Sequence, residues 1–585
     1  MGKWNKILLL IIFVMAFMSS CKKEDDINSL IYLGSEISTD KSRYLPGEEV
    51  YISLSLKSSF SGEIEVRYKY LTEVIDEEIF IVSGNNLNFQ WQPPSDDFKA
   101  YMVEFRFLED GKPVFFASTA VDVSSNWTKF PRYGFLSVFS SDISASEIQS
   151  NLDYLKRFHI NGLQFYDWHN KHHIPLKMDG NSPASSWVDI TGRNISFNTV
   201  HNYIREAKAR NIASMSYNLL YGAWGGFASD GVSEEWMIFN DVNHQNINKH
   251  DLDDNWALSD IYLLNPANLD WQNYIFQKTT QIYEHLDFDG WHIDQLGDRG
   301  SVYNYDGNPV SLKTTFTSFL INLRTTFPDK NMVMNAVNGY GQSEILEVPV
   351  NFAYTEVWEP NNTYNHLSEI INENNNLSNN YLNTVLAAYI NYNLADNTGE
   401  FNEAAVLMAD AVIMSFGGAH LELGEHMLGK EYFPNNKLSM TYSLTKQLVE
   451  YYDILVAYQN LLRDGGELSF NTGITSNEVR INDWPAVLGS IAAFKKSLNN
   501  IKVYHLLNFA GVNSLKWRDN YGTLTAPDEF VNFTINIPET NITKAVYVSP
   551  DWHDGVQEEL KFAISDGICE FKIPYLKYWG MIIIV

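Results

Sequence analysis

Two textures of hydrophobic and polar positions alternate along the chain. Between residues 31 and 125, apolar residues recur at every second position: Val50 to Leu56 reads V-Y-I-S-L-S-L, and Glu63 to Tyr70 reads E-I-E-V-R-Y-K-Y. A period of two sends alternate side chains to opposite faces of a pleated strand. Tyr101–Phe107 is a further strand, with Pro46-Gly47 and Ser83-Gly84 as turns between strands. This pattern predicts a small β-sandwich.

From about Trp127 the pattern changes to short apolar runs separated by longer stretches of helical period. The runs are Tyr133–Val138, Asn161–Tyr166, Ala213–Leu220, Phe288–Asp294, Met332–Val337, Phe352–Val357, Thr384–Ile390 and Ala419–Leu423. Eight strands alternating with helices across residues 126–465 match the count and size of a (β/α)8 TIM barrel. Ser144 and Glu147 form a capping box ahead of Ile148, Leu152 and Leu155, which share one helical face. Asn265-Pro266 is read as opening the helix that carries Trp271, Ile275 and Ile282, and Asp464-Gly465-Gly466 ends the last helix, near Leu438–Leu462. The Asn-rich run Asn372–Asn380 reads as a polar turn. Residues 466–585 return to alternating strands (Ile501–Phe509, Ala545–Val548, Tyr578–Val585), which predicts a second β-sandwich.

The first twenty residues are read as an address. Lys3 and Lys6 precede an apolar run from Ile7 to Phe17 that is short for a bilayer span, and Ser19-Ser20 lead into Cys21. That order resembles a bacterial lipoprotein signal in which Cys21 becomes the lipidated first residue, with 21–30 as a polar tether. The charged stretch Lys22, Lys23, Glu24, Asp25 and Asp26 that follows resembles a lipoprotein surface-export signal, which implies the outer membrane or cell surface of a Gram-negative bacterium. The other cysteine is Cys569. A lipidated Cys21 leaves no pair for an intramolecular disulfide. The formal net charge of −29 repels nucleic acid and anionic lipid, so the membrane contact expected is the anchor alone; a neutral polysaccharide meets no such barrier.

In a barrel of this kind the reactive groups lie at the C-terminal ends of the strands. Asp289 and Asp294, in F-D-G-W-H-I-D, are separated by roughly 17 Å along a strand. Asp289 is at the entrance and reads as structural, whereas Asp294 is at the exit. Glu356, in Y-T-E-V-W, ends another strand beside Trp358, and an acid buried against an indole stays protonated nearer neutrality. One ionised and one protonated carboxyl are what glycoside hydrolysis needs. The candidate sugar contacts are Tyr166, Asp167, Trp168, Tyr217, Asn218, His292, Gln295, Trp358, His420 and Glu422, all near strand ends. His420, Glu422, Glu425 and His426 permit a metal reading, as do His169, His172 and His173, but neither group has zinc-site spacing. Hydrogen bonding in a polar cleft is preferred, with no metal and no cofactor expected.

These motifs resemble glycoside hydrolase family 66. F-D-G-W-H-I-D-Q-L-G-D at 288–298 is similar to its nucleophile strand, and Y-T-E-V-W at 354–358 to its acid/base strand. Further similar segments are Q-F-Y-D-W at 164–168, Trp187-Val188-Asp189-Ile190 with Arg193, Y-N-L-L-Y-G-A at 217–223 and H-L-E-L-G-E at 420–425. The resemblance implies an immunoglobulin-like N-terminal domain, a catalytic barrel and a C-terminal β-domain. It also implies retaining cleavage of α-1,6-glucan (dextran) to isomaltooligosaccharides, with Asp294 as nucleophile, Glu356 as acid/base and Asp167 as a sugar-binding aspartate. Cyclising relatives carry an added module between the seventh strand and its helix. Here that interval is only Asn391–Phe401, which favours an endo-acting hydrolase, expected to be monomeric. The alternatives are a cycloisomaltooligosaccharide glucanotransferase, a barrel enzyme acting on another α-glucan, and a non-catalytic glycan-binding surface lipoprotein.

Overall fold

The computed structural model describes residues 35–253, 256 and 260–585. The predicted signal, Cys21 and the tether lie outside them. Five antiparallel strands come first: β1 (Ser35–Thr39), β2 (Val50–Tyr70), β3 (Glu73–Trp91), β4 (Lys99–Glu109) and β5 (Lys112–Val123). They form one sheet in the order β1-β2-β4-β5, with β3 also on β2. A register break between Ser55 and Phe60 divides the long β2. Its two halves nevertheless contribute to one buried cluster, with Ile52 and Leu54 joining Val66, Val103 and Phe105. Ser83-Gly84, expected as a turn, lies inside β3, where Gly84 adopts a φ of 139° opposite Phe60. A positive φ costs glycine little, so a bulge forms where a chain reversal was expected.

Next come eight short strands: β6 (Tyr133–Leu136), β7 (Gly162–Phe165), β8 (Ala213–Leu219), β9 (Gly290–Asp294), β10 (Asn331–Met334), β11 (Ala353–Glu356), β12 (Thr384–Ala387) and β13 (Ala419–His420). β6 to β10 pair in parallel in chain order, as do β11 to β13. A parallel bridge from Asn335 to Tyr354 joins β10 to β11. The Phe135 N–H donates to the Leu423 carbonyl at 3.0 Å and joins β6 to the segment after β13. The strands therefore close into a ring.

Helices follow the strands in turn: α1 (Ala145–Arg157), α2 (Phe197–Ala209), α3 (Leu269–His285), α4 (Leu312–Thr326), the short α5 (Gln342–Leu346), α6 (Tyr364–Leu377), α7 (Glu403–Ser415) and α8 (Tyr442–Ala457). The Ser144 hydroxyl caps α1 by accepting from the Glu147 N–H, and Ile148, Leu152 and Leu155 are its buried face. α3 starts three residues later than expected, because Asn268 and not Asn265 supplies the cap. Most of the Asn-rich run is the last part of α6, not a turn. α7 is buried all round, from Ala404 to Ser415, so it shows no polar face.

The last segment holds two mainly antiparallel sheets. β14 (Ile491–Leu498), β15 (Ile501–Asn508), β17 (Ala545–Val548) and β19 (Trp579–Ile584) belong to the larger; β16 (Phe530–Ile537) and β18 (Ile568–Leu576) belong to the smaller. Tyr504 and Leu506 from one and Phe533, Ile535 and Phe571 from the other share a buried cluster.

Both flanking segments are tied to the ring. Asp453 of α8 accepts from the Ala120 N–H (3.1 Å) and the Thr119 hydroxyl (3.2 Å) of β5, and also pairs with Arg157 (2.9 Å) and His159 (2.6 Å). Arg132 and Asp122 form a fully buried pair at 2.8 Å. On the other side Phe494 of β14 stacks on Phe416, which follows α7, at 4.2 Å. Among the described residues no helix is long and apolar enough to cross a membrane.

Candidate active site

A cavity of about 310 Å³ opens at the C-terminal ends of the ring strands. Asp294 and Glu356 both line it, each being the last residue of its strand, where buried apolar positions give way to a half-buried one. The Asp294 carboxylate accepts three hydrogen bonds: from the Tyr217 hydroxyl (2.7 Å), the Asn335 side-chain amide (2.9 Å) and the Gln295 N–H (2.8 Å). Glu356 accepts from the Tyr389 hydroxyl (2.6 Å) and from the same Asn335 amide nitrogen (3.1 Å). The Asn335 oxygen in turn accepts from the Glu356 N–H at 3.2 Å. Asp294 Oδ1 and Glu356 Oε2 are thus 2.9 and 3.1 Å from one nitrogen, so they lie no more than the sum of those bonds, about 6 Å, apart.

Electrostatics separates the two acids. Burial, and then the Asp294 charge, push Glu356 up to about 7, although Tyr389 and Asn335 pull it back. Asp294 is also raised by burial, but its three donors oppose that rise and favour its charged form. Asp167 is pushed up to about 7 by burial and by its neighbours Asp189 and Asp294, partly offset by Arg193. It stands in the left-handed region (φ 52°) just beyond β7. The motif at 187–193 braces that turn. Trp187 Nε1 donates to the Trp168 carbonyl at 2.8 Å, and Asp189 pairs with Arg193 at 2.7 Å. His292 forms the floor, stacked on Tyr133 with its Nδ1 3.2 Å from the Tyr133 hydroxyl, and burial lowers it to about 3. It is therefore a neutral ring.

Tyr166, Asp167, Tyr217, His292, Gln295 and Trp358, predicted as sugar contacts, line this cavity. Four other predicted contacts do not. Trp168 is fully buried against Trp187 and Phe288. Asn218 does not line the cavity itself but stands behind it, its side-chain oxygen 2.9 Å from Nδ1 of His172, which does. His420 and Glu422 point outward, to the layer between strands and helices: His420 Nδ1 is 2.8 Å from Asp410 of α7, and Glu422 accepts from Tyr452 of α8 at 3.1 Å. Successive side chains of a strand alternate faces, so a strand-end position does not by itself turn a residue inward.

Asp410, His420 and Glu422 could hold a cation, since their ligand atoms lie within 4.8 Å of one another. However, His420 Nε2 is also 2.7 Å from the Ala388 carbonyl. With both ring nitrogens facing acceptors the protonated ring donates from both, so the three groups can pair with one another as a charged cluster. Burial works against that charge, but Glu422 and Asp410 outweigh it and hold His420 well above its usual range.

Sequence reading missed Asn335 and Tyr389, the partners that set the two carboxylates. It also missed the aromatic wall from later loops, where Phe433 stacks on Tyr166 at 4.0 Å and Tyr432 meets Trp256 edge-on at 4.8 Å. The Tyr354-Thr355-Glu356 pattern predicted a strand end but gave no sign of which neighbour would land beside it.

The sequence model of glycosyl hydrolase family 66 matches residues 39–583. A cycloisomaltooligosaccharide glucanotransferase of Niallia circulans is 27% identical, covering 93% of this chain and 71% of that relative. A dextranase of Streptococcus salivarius is 22% identical, covering 79% of this chain and 64% of its own length. A solved Paenibacillus sp. cycloisomaltooligosaccharide glucanotransferase in complex with cycloisomaltoheptaose superposes with a TM-score of 0.86 at 26% identity, covering 94% of this chain and 99% of the other. With the match running through all three segments and both carboxylate strands, the chain belongs to glycosyl hydrolase family 66 and is a glycoside hydrolase.

Proposed function

We propose that the protein is an endo-acting, retaining dextranase that cleaves α-1,6-glucosidic bonds, with Asp294 as nucleophile and Glu356 as acid/base. One observation carries the mechanism: a single amide nitrogen, on Asn335, reaches both carboxylates, so their nearer oxygens are at most about 6 Å apart. That favours the retaining separation of about 5–5.5 Å over the roughly 6.5–9.5 Å that leaves room for an inverting water. In the first step an Asp294 oxygen bonds to the anomeric carbon as its bond to the glycosidic oxygen breaks, and Glu356 delivers its proton to that oxygen. In the second, Glu356 takes a proton from water, whose oxygen displaces Asp294 and restores the α configuration. Burial and the Asp294 charge, which raise Glu356 to about 7, suit it to hold that proton near neutrality.

The substrate class rests on the names of the relatives, which act on or form α-1,6-glucans. The interval between β12 and α7 holds only a short turn, Leu394–Asp396, and a two-residue strand, which supports hydrolysis over cyclisation. The likeness to a glucanotransferase favours transfer to a sugar acceptor as a second reading. We assign 31–125 to an immunoglobulin-like β-sandwich, 126–465 to a (β/α)8 barrel and 466–585 to a C-terminal β-sandwich. Residues 1–20 are assigned to a lipoprotein signal and Cys21 to the lipid anchor of an exported protein.

The test is incubation with dextran, pullulan and starch, followed by product analysis of wild type, Asp294→Ala and Glu356→Gln. Asp294→Ala abolishes turnover. Glu356→Gln loses dextran cleavage but keeps the first step on an activated α-isomaltosyl aryl glycoside, and azide then releases an α-glycosyl azide. A β-azide, or full dextranase activity in either variant, overturns the assignment.

A further inference from the structure

The cavity is lined by barrel residues, yet one of its walls is backed from outside the barrel. The loop between β15 and β16 runs back to the strand ends and is fastened there at several points. The Tyr364 N–H donates to the Leu515 carbonyl (3.1 Å), Trp517 Nε1 to the Asn361 carbonyl (2.8 Å), and the Asn391 N–H to the Arg518 carbonyl (2.8 Å). The Asn391 side-chain amide donates to the Asp519 carbonyl at 2.8 Å and that of Asn402 to the Asp519 carboxylate at 3.0 Å. These bonds place Arg518, only 7% exposed, behind Trp358.

The Arg518 guanidinium carbon lies 4.9 Å from the Trp358 ring centre, 4.7 Å from that of Trp517 and 5.3 Å from that of Tyr392. Its Nη2 donates to the Val357 carbonyl at 2.6 Å. Val357 is the residue between Glu356 and Trp358, so one side chain holds both the peptide that follows the acid/base candidate and the indole beyond it. Trp358 is half-buried, borders the cavity and packs on Tyr389 with ring centres 5.4 Å apart; Tyr389 is the hydroxyl that donates to Glu356. Burial lowers the Arg518 pKa, so its charge has lost water; it stands against aromatic faces and a carbonyl, while the Glu359 and Glu431 charges oppose the shift. A desolvated cation is held there by ring quadrupoles and one strong hydrogen bond, both of which depend on geometry. A lysine could supply the charge but not the planar fork.

We infer that Arg518, supplied by the C-terminal β segment, is a positioning residue that sets Trp358 as the platform for the sugar on the leaving-group side of Glu356. The inference rests on the retaining α-glucanase reading. The acid donates its proton to the departing oxygen, so an aromatic two residues beyond it stands where the departing sugar, or an incoming acceptor sugar, must lie. Arg518 does not contact Asp294 or Glu356. Its loss should therefore spare bond-making at the anomeric carbon and weaken steps that need a sugar on that side.

The experiment compares wild type, Arg518→Ala and Arg518→Lys in the full-length protein on dextran, on an activated aryl glycoside whose leaving group is not a sugar, and in transfer to added isomaltose. Removing a cation–π contact and a charged hydrogen bond predicts a loss in dextran kcat/KM of about tenfold to a hundredfold, carried mainly by KM. The transfer-to-hydrolysis ratio falls in parallel. The aryl glycoside rate stays within about threefold, and the lysine variant recovers part of the loss. Equal losses on both substrates, or an alanine variant with wild-type dextran KM and transfer ratio, overturn the inference. If the alanine variant does not fold, the lysine variant decides by the same comparison, since a wild-type ratio between its two substrates refutes the assignment. Wild type inactive on dextran would instead refute the underlying reading of function.

Discussion

Replacing Asn335 with alanine removes the one N–H group that both carboxylates share, and its effect can be worked out from three contacts. The amide nitrogen donates to Asp294 at 2.9 Å and to Glu356 at 3.1 Å, and the amide oxygen accepts from the Glu356 N–H at 3.2 Å. In the proposed first step negative charge leaves Asp294 and builds on Glu356, so the Asn335 bond to Glu356 changes from one to a neutral acid into one to a carboxylate and strengthens in the transition state. A hydrogen bond to a charged group contributes about 1.5–3 kcal/mol. Loss of that amount from the transition state lowers kcat/KM by roughly 10- to 150-fold. The pH profile is the more diagnostic readout. Burial is the largest influence on both acids and raises them, and Asn335 opposes it in both. Without the amide both pKa values rise. The alkaline limb, where Glu356 loses its proton, moves upward from about 7, and the acid limb, where Asp294 gains one, moves the same way. A pH series of initial rates on dextran checks this. A profile that stays in place, or a rate within threefold of wild type, refutes the claim that this amide governs the pair.

Tyr389→Phe removes the hydroxyl that donates to Glu356 alone, so the alkaline limb should rise while the acid limb stays, with a loss of about tenfold in kcat. Asp453→Asn leaves half-buried Arg157 and buried His159 facing a neutral amide, which should cost about 3 kcal/mol in urea unfolding while dextran KM is unchanged. Burial raises Asp453, but Arg157 and His159 hold it below the usual range, so its stabilisation is full above the unfolded-state pKa near 4 and is lost as pH falls through the lower folded value. The wild type should then lose stability below about pH 4 more steeply than Asp453→Asn, and parallel acid-unfolding curves would contradict this. Cys21→Ala should move the protein from the membrane fraction to the soluble one, as checked by fractionation and immunoblotting, with activity on soluble dextran retained.

Most of the strands, and much of what each strand end offers, are legible from residue order alone. Period-two alternation marked both ends of β2, though as two strands where the structure has one, a serine cap set α1, and the five-residue spacing in F-D-G-W-H-I-D separated Asp289 from Asp294. In the structure Asp289 accepts from the Ser214 N–H at 2.7 Å at the strand entrance, while Asp294 faces the cavity. These features are local, because backbone sterics, caps and pleat operate over a few residues. Which residues meet is fixed by the packing of distant segments. Asn335 lies 41 positions from Asp294 and 21 from Glu356, and Tyr389 lies 33 from Glu356, so their roles exist only once β10 and β12 settle beside β9 and β11. The same holds for the misread positions: Asn218 differs from cavity-facing Tyr217 by one step of the pleat, and His420 and Glu422 find their partners on α7 and α8. A one-residue change of parity reverses the face a side chain occupies, and nothing in the residue type records which face the closed ring will turn inward.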